Sequence, residues 1–236
     1  MSTNPDAPAA DTFDAYARDY EAALNQGIGL TGEGKDYFAR GRVLFLRRRL
    51  RAMDQSPRRI LDYGCGTGSA TPYFHEILSP QNLTGVDLSA ESIEVARQTF
   101  GSSGATFSTL DGYAPDGSFD LAFCNGVFHH IPLDQRLDAA RYVHRALRPG
   151  GLFAFWENNP WNPGTQIVMS RIPFDRDAIK LSPPTARRLL KAAGFEILRT
   201  DFHFFFPKFL GWFRPLEPAL CALPLGGQYQ VLCRKN

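Results

Sequence analysis

Residues 58–68 read RRILDYGCGTG: an arginine pair and a short apolar run to Tyr63, then glycines at 64, 66 and 68. Apolar residues in a run that short, bounded by glycine, predict a buried strand over 58–63. A chain gives up side chains at alternate positions where its backbone must turn sharply or let something approach closely. A helix is expected next, over about 68–78. The unit is strand, glycine turn, helix.

Outward from it the unit repeats. NLTGVDL (82–88) predicts a second strand and SAESIEVARQTF (89–100) a second helix, with Ser89 as its N-cap. ATFSTL (105–110) and FDLAFCNG (119–126) predict strands three and four. LDQRLDAARYVHRAL (133–147) is an amphipathic helix stopped by RPGG (148–151), and LFAFWE (152–157) is strand five. Such alternation means parallel strands with right-handed crossovers. The pattern then breaks into an irregular insertion over 158–184, a helix over 185–195, a strand over 196–206, an apolar proline-broken stretch over 207–227 and a closing strand over 228–235. The expected fold is a Rossmann-like, doubly wound α/β domain with seven strands, mostly parallel, the last antiparallel. It should run over 57–236, with residues 158–181 as a cap insertion. Residues 12–56 should form a helical lid, since Phe13, Tyr16, Tyr20 and Leu24 recur at helical spacing, and 1–11 should be disordered. Arginines 47, 48, 49 and 51 read as a solvated helix face.

Composition bounds the function. The chain has 236 residues, 44% hydrophobic with 19 Phe, enough for a large core. A net charge of +2 argues against a dedicated nucleic-acid binder. Cysteines 65, 124, 221 and 233 lack metal-ligand spacing and read as reduced thiols of a cytoplasmic protein. The first residues resemble no secretory signal, and no apolar stretch is long enough to span a bilayer.

Parallel α/β sheets bind ligands beyond the carboxyl ends of their strands, where bare loop N–H groups can meet a ligand. Here G-x-G-x-G is tighter than the dinucleotide fingerprint and leaves less of a phosphate cradle. Asp62, two residues before Gly64, would repel a pyrophosphate and welcome an ammonium. Asp87 ends strand two, nineteen residues after Gly68, and is placed to accept from both hydroxyls of a ribose. Asp111 and Gly112 end strand three, where a carboxylate and an N–H can read the edge of an adenine. Ammonium, ribose and adenine in a row describe S-adenosylmethionine.

ILDYGCGTG, LTGVDLS, TLDG, FDLAFCNGVFHHI and LRPGGLFAF, in that order over 58–157, resemble the successive motifs of the class I S-adenosylmethionine-dependent methyltransferases. That resemblance implies that Asp62, Gly64, Cys65 and Gly66 line the methionine part. It puts Asp87 on the ribose, Leu88 on the adenine face, Asp111 and Gly112 on the adenine edge, and Asn125 and Val127 by the ammonium and thioether. His130 would shape the cofactor pocket, and Tyr16 or Tyr20 would close over it. Gly126 stands where some quinone-pathway relatives carry a metal-binding acid, so no metal is expected.

Methyl transfer is an in-line displacement, and a hydroxyl acceptor also needs a base. His129 and Glu157 are the candidates, and Trp156, Asn158 and Arg171 are the expected acceptor contacts. Arg171 and Arg176 could alternatively pair with Asp175 and Asp177. The expected reaction is methylation of a small apolar or aromatic acceptor, at oxygen first and carbon next. Two rivals remain: a lipid or prenylated-quinone acceptor at a membrane face, and a S-adenosylmethionine-binding protein that transfers no methyl group. The aromatic 202–225 tail could roof the acceptor, touch a membrane peripherally, or form core and a homodimer contact.

Overall fold

The computed structural model describes residues 27–172 and 178–236. The expected contacts from Tyr16 and Tyr20, and the pairing of Arg176 with Asp175 and Asp177, lie outside the described residues.

Seven strands form one sheet in the order β3-β2-β1-β4-β5-β7-β6. They are β1 (Arg59–Tyr63), β2 (Asn82–Asp87), β3 (Ala105–Thr109), β4 (Phe119–Asn125), β5 (Leu147–Asn158), β6 (Phe195–His203) and β7 (Gln228–Lys235). The β1–β2, β1–β4, β2–β3 and β4–β5 pairings are parallel. β7 runs antiparallel to both β5 and β6, so it alone is reversed. The expected Rossmann-like sheet is what forms. β5 starts earlier than its sequence suggests, because Leu147 already pairs with Phe119 before a bulge shifts the register.

Helices cover both faces. On one lie α1 (Lys35–Ala52), α2 (Thr71–Leu78) and α3 (Ala90–Phe100). Their Leu46, Phe74 and Ile93 pack with Ile60, Leu121 and Trp156 of the sheet. On the other lie α4 (Arg136–Ala146) and α6 (Pro183–Ala192), whose Val143 and Leu190 pack with Leu61, Phe153 and Tyr229. Ser89 caps α3 as expected, accepting from Ser92 N–H at 3.0 Å.

The insertion is not wholly irregular. It contains α5 (Pro163–Arg171), opened by Asn162, whose side chain accepts from Thr165 N–H at 2.9 Å. Pro163 sits at the first helical position, where its missing N–H costs nothing, so it opens the helix. Between β6 and β7 the chain forms a 3₁₀ segment, Lys208–Leu216, and a short α7 (Glu217–Leu220). Since β6 runs parallel to β5, this connection lies at the carboxyl edge of the sheet.

Candidate functional site

Gly64, Gly66 and Gly68 all have left-handed backbones, each for its own reason. A Cβ on Gly64 would come within 2.3 Å of Val127, and one on Gly68 would meet Phe100 at 3.0 Å. Beside Gly66 nothing lies within 4 Å, so this stretch of backbone faces open space. The loop N–H groups are not bare. Gly64 and Cys65 donate to Val86 O at 2.8 and 3.1 Å, and Gly68 donates to Cys65 O at 3.0 Å. Gly66 donates to Asp87 Oδ2 at 2.8 Å. The end of β2 runs beside the turn and supplies the acceptors for Gly64, Cys65 and Gly66, so the site is a sculpted gap rather than a nest of donors.

Asp87 also accepts from Ser89 N–H at 2.9 Å through Oδ1, so one carboxylate ties the turn after β1 to the turn after β2. Asp62 is buried beneath this tie. Burial, and then the charge of Asp87, push its carboxyl up to about 7. A cation placed there would restore the ionised form. Leu88 presents an exposed apolar side chain next to Asp87. Asp111 and Gly112 are exposed, but the Gly112 N–H donates to Thr109 O at 3.1 Å within its own turn. Cys65 is buried, and burial raises its thiol well above the ordinary range.

At the end of β4, His129 and Glu157 meet as a buried pair, with Nδ1 and Oε2 2.6 Å apart. Oε1 of Glu157 accepts from the N–H groups of Phe128 and His129 at 2.9 and 3.3 Å. Both carboxylate oxygens are thus committed to holding the loop and the imidazole. Val127 packs over Gly64, joining this loop to the glycine turn. The His130 ring lies tilted against that of His129, with ring centroids 4.0 Å apart.

Sequence reasoning missed the support below. Arg136 is buried at the start of α4 and donates to Ile131 O at 2.9 Å and Ile179 O at 2.7 Å, with a longer bond to His129 O at 3.4 Å. Ile179 N–H donates to His129 O at 3.1 Å, and Tyr229 Oη donates to Leu181 O at 2.9 Å. The returning end of the insertion is therefore docked on the His129 loop. A signal existed: Arg136 shares its helical stripe with buried Ala140 and Val143.

Trp156 does not project over the carboxyl edge. It is fully buried on the α1 face of the sheet, against Phe45 and near His203. Strand alternation puts it on the face opposite Glu157. Asn125, Trp156 and Gln230 are register neighbours across β4, β5 and β7. In this row Asn125 Oδ1, Trp156 Nε1 and both amide atoms of Gln230 are buried with no hydrogen-bond partner. Asn158 accepts from Gln228 Nε2 at 3.0 Å, and Arg42 Nε in turn donates to Gln228 Oε1 at 2.8 Å. Arg171 is exposed at the end of α5, away from this row's buried atoms.

Residues 61–155, which hold the glycine turn, both acids and the β4–β5 loop, match the family described as "Methyltransferase domain". The chain carries a class I S-adenosylmethionine-dependent methyltransferase domain. S-adenosylmethionine is the cofactor of that class. Among curated relatives, the domain is 30% identical over 118 residues to a trans-aconitate 2-methyltransferase of Rhodopseudomonas palustris, covering 50% of this chain and 45% of that protein. It is 32% identical over 111 residues to a fatty-acid O-methyltransferase of Mycolicibacterium smegmatis, covering 45% of this chain and 39% of that one. The match spans less than half the length of either relative. A solved S-adenosylmethionine-dependent methyltransferase from Mesorhizobium loti shares the fold, with a TM-score of 0.57 and 24% identity over 80% of this chain and 96% of its own. Among the described residues no helix is long and apolar enough to cross a membrane.

Proposed function

We propose that the methyltransferase domain moves a methyl group to the hydroxyl oxygen of a small apolar or aromatic acceptor. The observation that carries this reading is the buried His129–Glu157 pair beside the glycine turn. When bound, S-adenosylmethionine supplies an electrophilic methyl group on a sulfonium.

The residues present fit that cofactor. The gap beside Gly66 leaves room along the backbone. Asp62, held near half-ionised at neutral pH, gains a partner in an amino-acid ammonium. Asp87 accepts backbone N–H groups through both oxygens, and an acceptor-only carboxylate suits ribose hydroxyls. Leu88 offers an apolar face to the adenine and Asp111 an acceptor to its amine. Gly112 contributes its chain path rather than its N–H, which is already donated. Cys65, Asn125, Val127 and His130 complete the lining.

Glu157 acts on His129 rather than on the acceptor. It fixes the tautomer with the proton on Nδ1 and leaves Nε2 as the basic nitrogen. The acceptor hydroxyl passes its proton to Nε2 as its oxygen takes the methyl group, and Glu157 stabilises the resulting imidazolium. His129 is then the base and Glu157 a positioning residue. Burial of both keeps water from competing. Asn158 and Arg171 of the insertion are the candidate acceptor contacts. The curated fatty-acid relative, an O-methyltransferase by name, is consistent with oxygen as the accepting atom.

The test uses S-adenosylmethionine with a deuterated methyl group, incubated with an extract of the cells that make the protein and followed by mass spectrometry. The expected result is label on the oxygen of one organic-soluble compound. His129→Ala should slow labelling roughly a hundredfold with cofactor affinity nearly unchanged. Label on nitrogen or carbon, or unchanged labelling by the variant, would overturn the oxygen-and-base reading.

A further inference from the structure

The 3₁₀ segment Lys208–Leu216 turns large apolar side chains outward. Phe209 is 76% exposed, Trp212 74% and Leu216 52%. All three project to solvent from a segment that kinks at Leu210. The opposite side is anchored: Phe213 stacks on Phe206 with ring centroids 5.4 Å apart, and Arg214 lies over the Tyr37 ring and pairs with Glu33 at 2.9 Å. The segment is therefore held rigidly with its greasy face in solvent. Leu225, 62% exposed, and Trp161, 49% exposed, add further outward apolar side chains, tied to each other's neighbourhood by the bond from Asn162 to Leu225 O at 2.6 Å.

Charge around the patch is one-sided. Residues 207–227 contain three charged side chains, Lys208, Arg214 and Glu217. Glu217 is buried, accepting from the N–H groups of Phe205 and Phe206, and Arg214 is ion-paired. Lys208 is left as the exposed charge. Alongside runs α1, which carries seven Lys and Arg against one acid, Asp36. The two elements touch: Lys208 packs against Gly32 just before α1, and Arg49 of α1 reaches Cys221 just after α7. Arg48 and Arg51 are exposed on α1. Outward Trp, Phe and Leu beside Lys208 and a strongly basic helix, whose one acid is the exposed Asp36, suit the interface of an anionic membrane.

We propose that this surface docks the protein peripherally on bilayers rich in anionic phospholipid. The segment joins β6 to β7 at the carboxyl edge, so docking would turn the edge bearing the glycine turn and the His129 loop toward the lipid. The inference stands on the surface alone and does not require methyl transfer or a lipid acceptor.

The test is co-sedimentation of the full chain with phosphatidylcholine vesicles, with and without phosphatidylglycerol. The expected result is binding that rises severalfold with phosphatidylglycerol and falls with salt. In a Trp161→Phe background, the emission of exposed Trp212 should shift to the blue on binding. The double substitution Phe209→Ser with Trp212→Ser should weaken binding at least tenfold, and Lys208→Glu should lower the phosphatidylglycerol dependence. These positions are exposed, so an unchanged melting temperature checks folding. Failure to sediment with either vesicle, or binding indifferent to the double substitution, would overturn the proposal. So would a dimer in analytical ultracentrifugation that the double substitution dissolves while no vesicle binding occurs, since the patch would then be a contact between copies.

Discussion

Over β1 and β2, the polar groups at the carboxyl edge satisfy one another within a short length of chain. Gly66 donates to Asp87, 21 residues away, and Asp87 accepts again from Ser89. Over β5 and β7, Trp156 Nε1 and the Gln230 amide are buried with no partner, although the two residues are register neighbours from opposite ends of the domain's second half. A buried polar atom without a partner costs about 1–3 kcal/mol, so the second region is held at a cost that the first avoids. The first region is a finished frame with a gap in it. The second is a row of unmet hydrogen-bonding capacity enclosed in the core.

The contrast breaks most easily at Asp87. Asp87→Ala should weaken S-adenosylmethionine binding a hundredfold or more in calorimetry, since hydrogen bonds to a charged group contribute roughly 1.5–3 kcal/mol each. Affinity within threefold of the natural protein would mean that the frame is not where the cofactor sits.

Asp62→Asn tests the charge beneath the frame. The folded carboxyl titrates near 7, against about 3.9 in an unfolded chain. Between those values the folded protein holds a proton that the unfolded chain has released, so stability falls as pH rises through this window. His203 works oppositely. Burial, then the charges of Arg48, Arg42 and Arg49, depress it to about 4, against about 6.5 unfolded, so its contribution is lost as pH falls from 6.5 toward 4. Asp62→Asn should therefore be more stable than the natural protein at pH 8, by at most about 4 kcal/mol. The difference should shrink to nothing near pH 4 in urea titrations. A constant difference across pH would remove Asp62 as the titrating group. In the natural protein, cofactor binding near pH 7 should release a proton, readable as calorimetric heats that depend on the buffer.

Glu157→Gln keeps a carbonyl oxygen for the Phe128 and His129 N–H groups but removes the charge behind the imidazole. Turnover should fall roughly tenfold to a hundredfold, about 1.4–3 kcal/mol, with cofactor affinity unchanged and the acid limb of the pH–rate profile moved to lower pH. An unmoved profile would return Glu157 to a purely structural role.

The smallest effect tests the second region. Gln230→Met removes two orphaned polar atoms at nearly constant volume, so stability should stay level or rise by about 1 kcal/mol in chemical denaturation. KM for the acceptor and kcat should both change little, since Gln230 has no exposed surface. Loss of stability would mean that the Gln230 amide has a partner in the folded core.

How much of this was readable from residues alone follows the same divide. The strands, the reversed β7, the Ser89 cap and the positions of Asp62 and Asp87 follow from short-range patterns, and the structure repeats them within a few residues. α5 was hidden because Pro163 looks like a breaker until Asn162 is seen capping it. Trp156 was assigned to the edge because a residue near a strand's end points toward it only if its face is known, and its face is decided by register with β4 and β7. Glu157 looked like a base for the same reason. Its partners, Phe128, His129 and the His129 ring, lie 28 or 29 residues away across the strand pair.

The chain's local order determined the α/β alternation, the left-handed glycine turn and the acids that end β1 and β2, because backbone sterics and strand period act over a few residues. Only the folded sheet decided that Glu157 grips His129, that Arg136 pins the end of the insertion, that Gln230 stands unpartnered beside Trp156, and that Phe209 and Trp212 face solvent. Those outcomes depend on which strands lie side by side and on what burial does to a charge or an amide there.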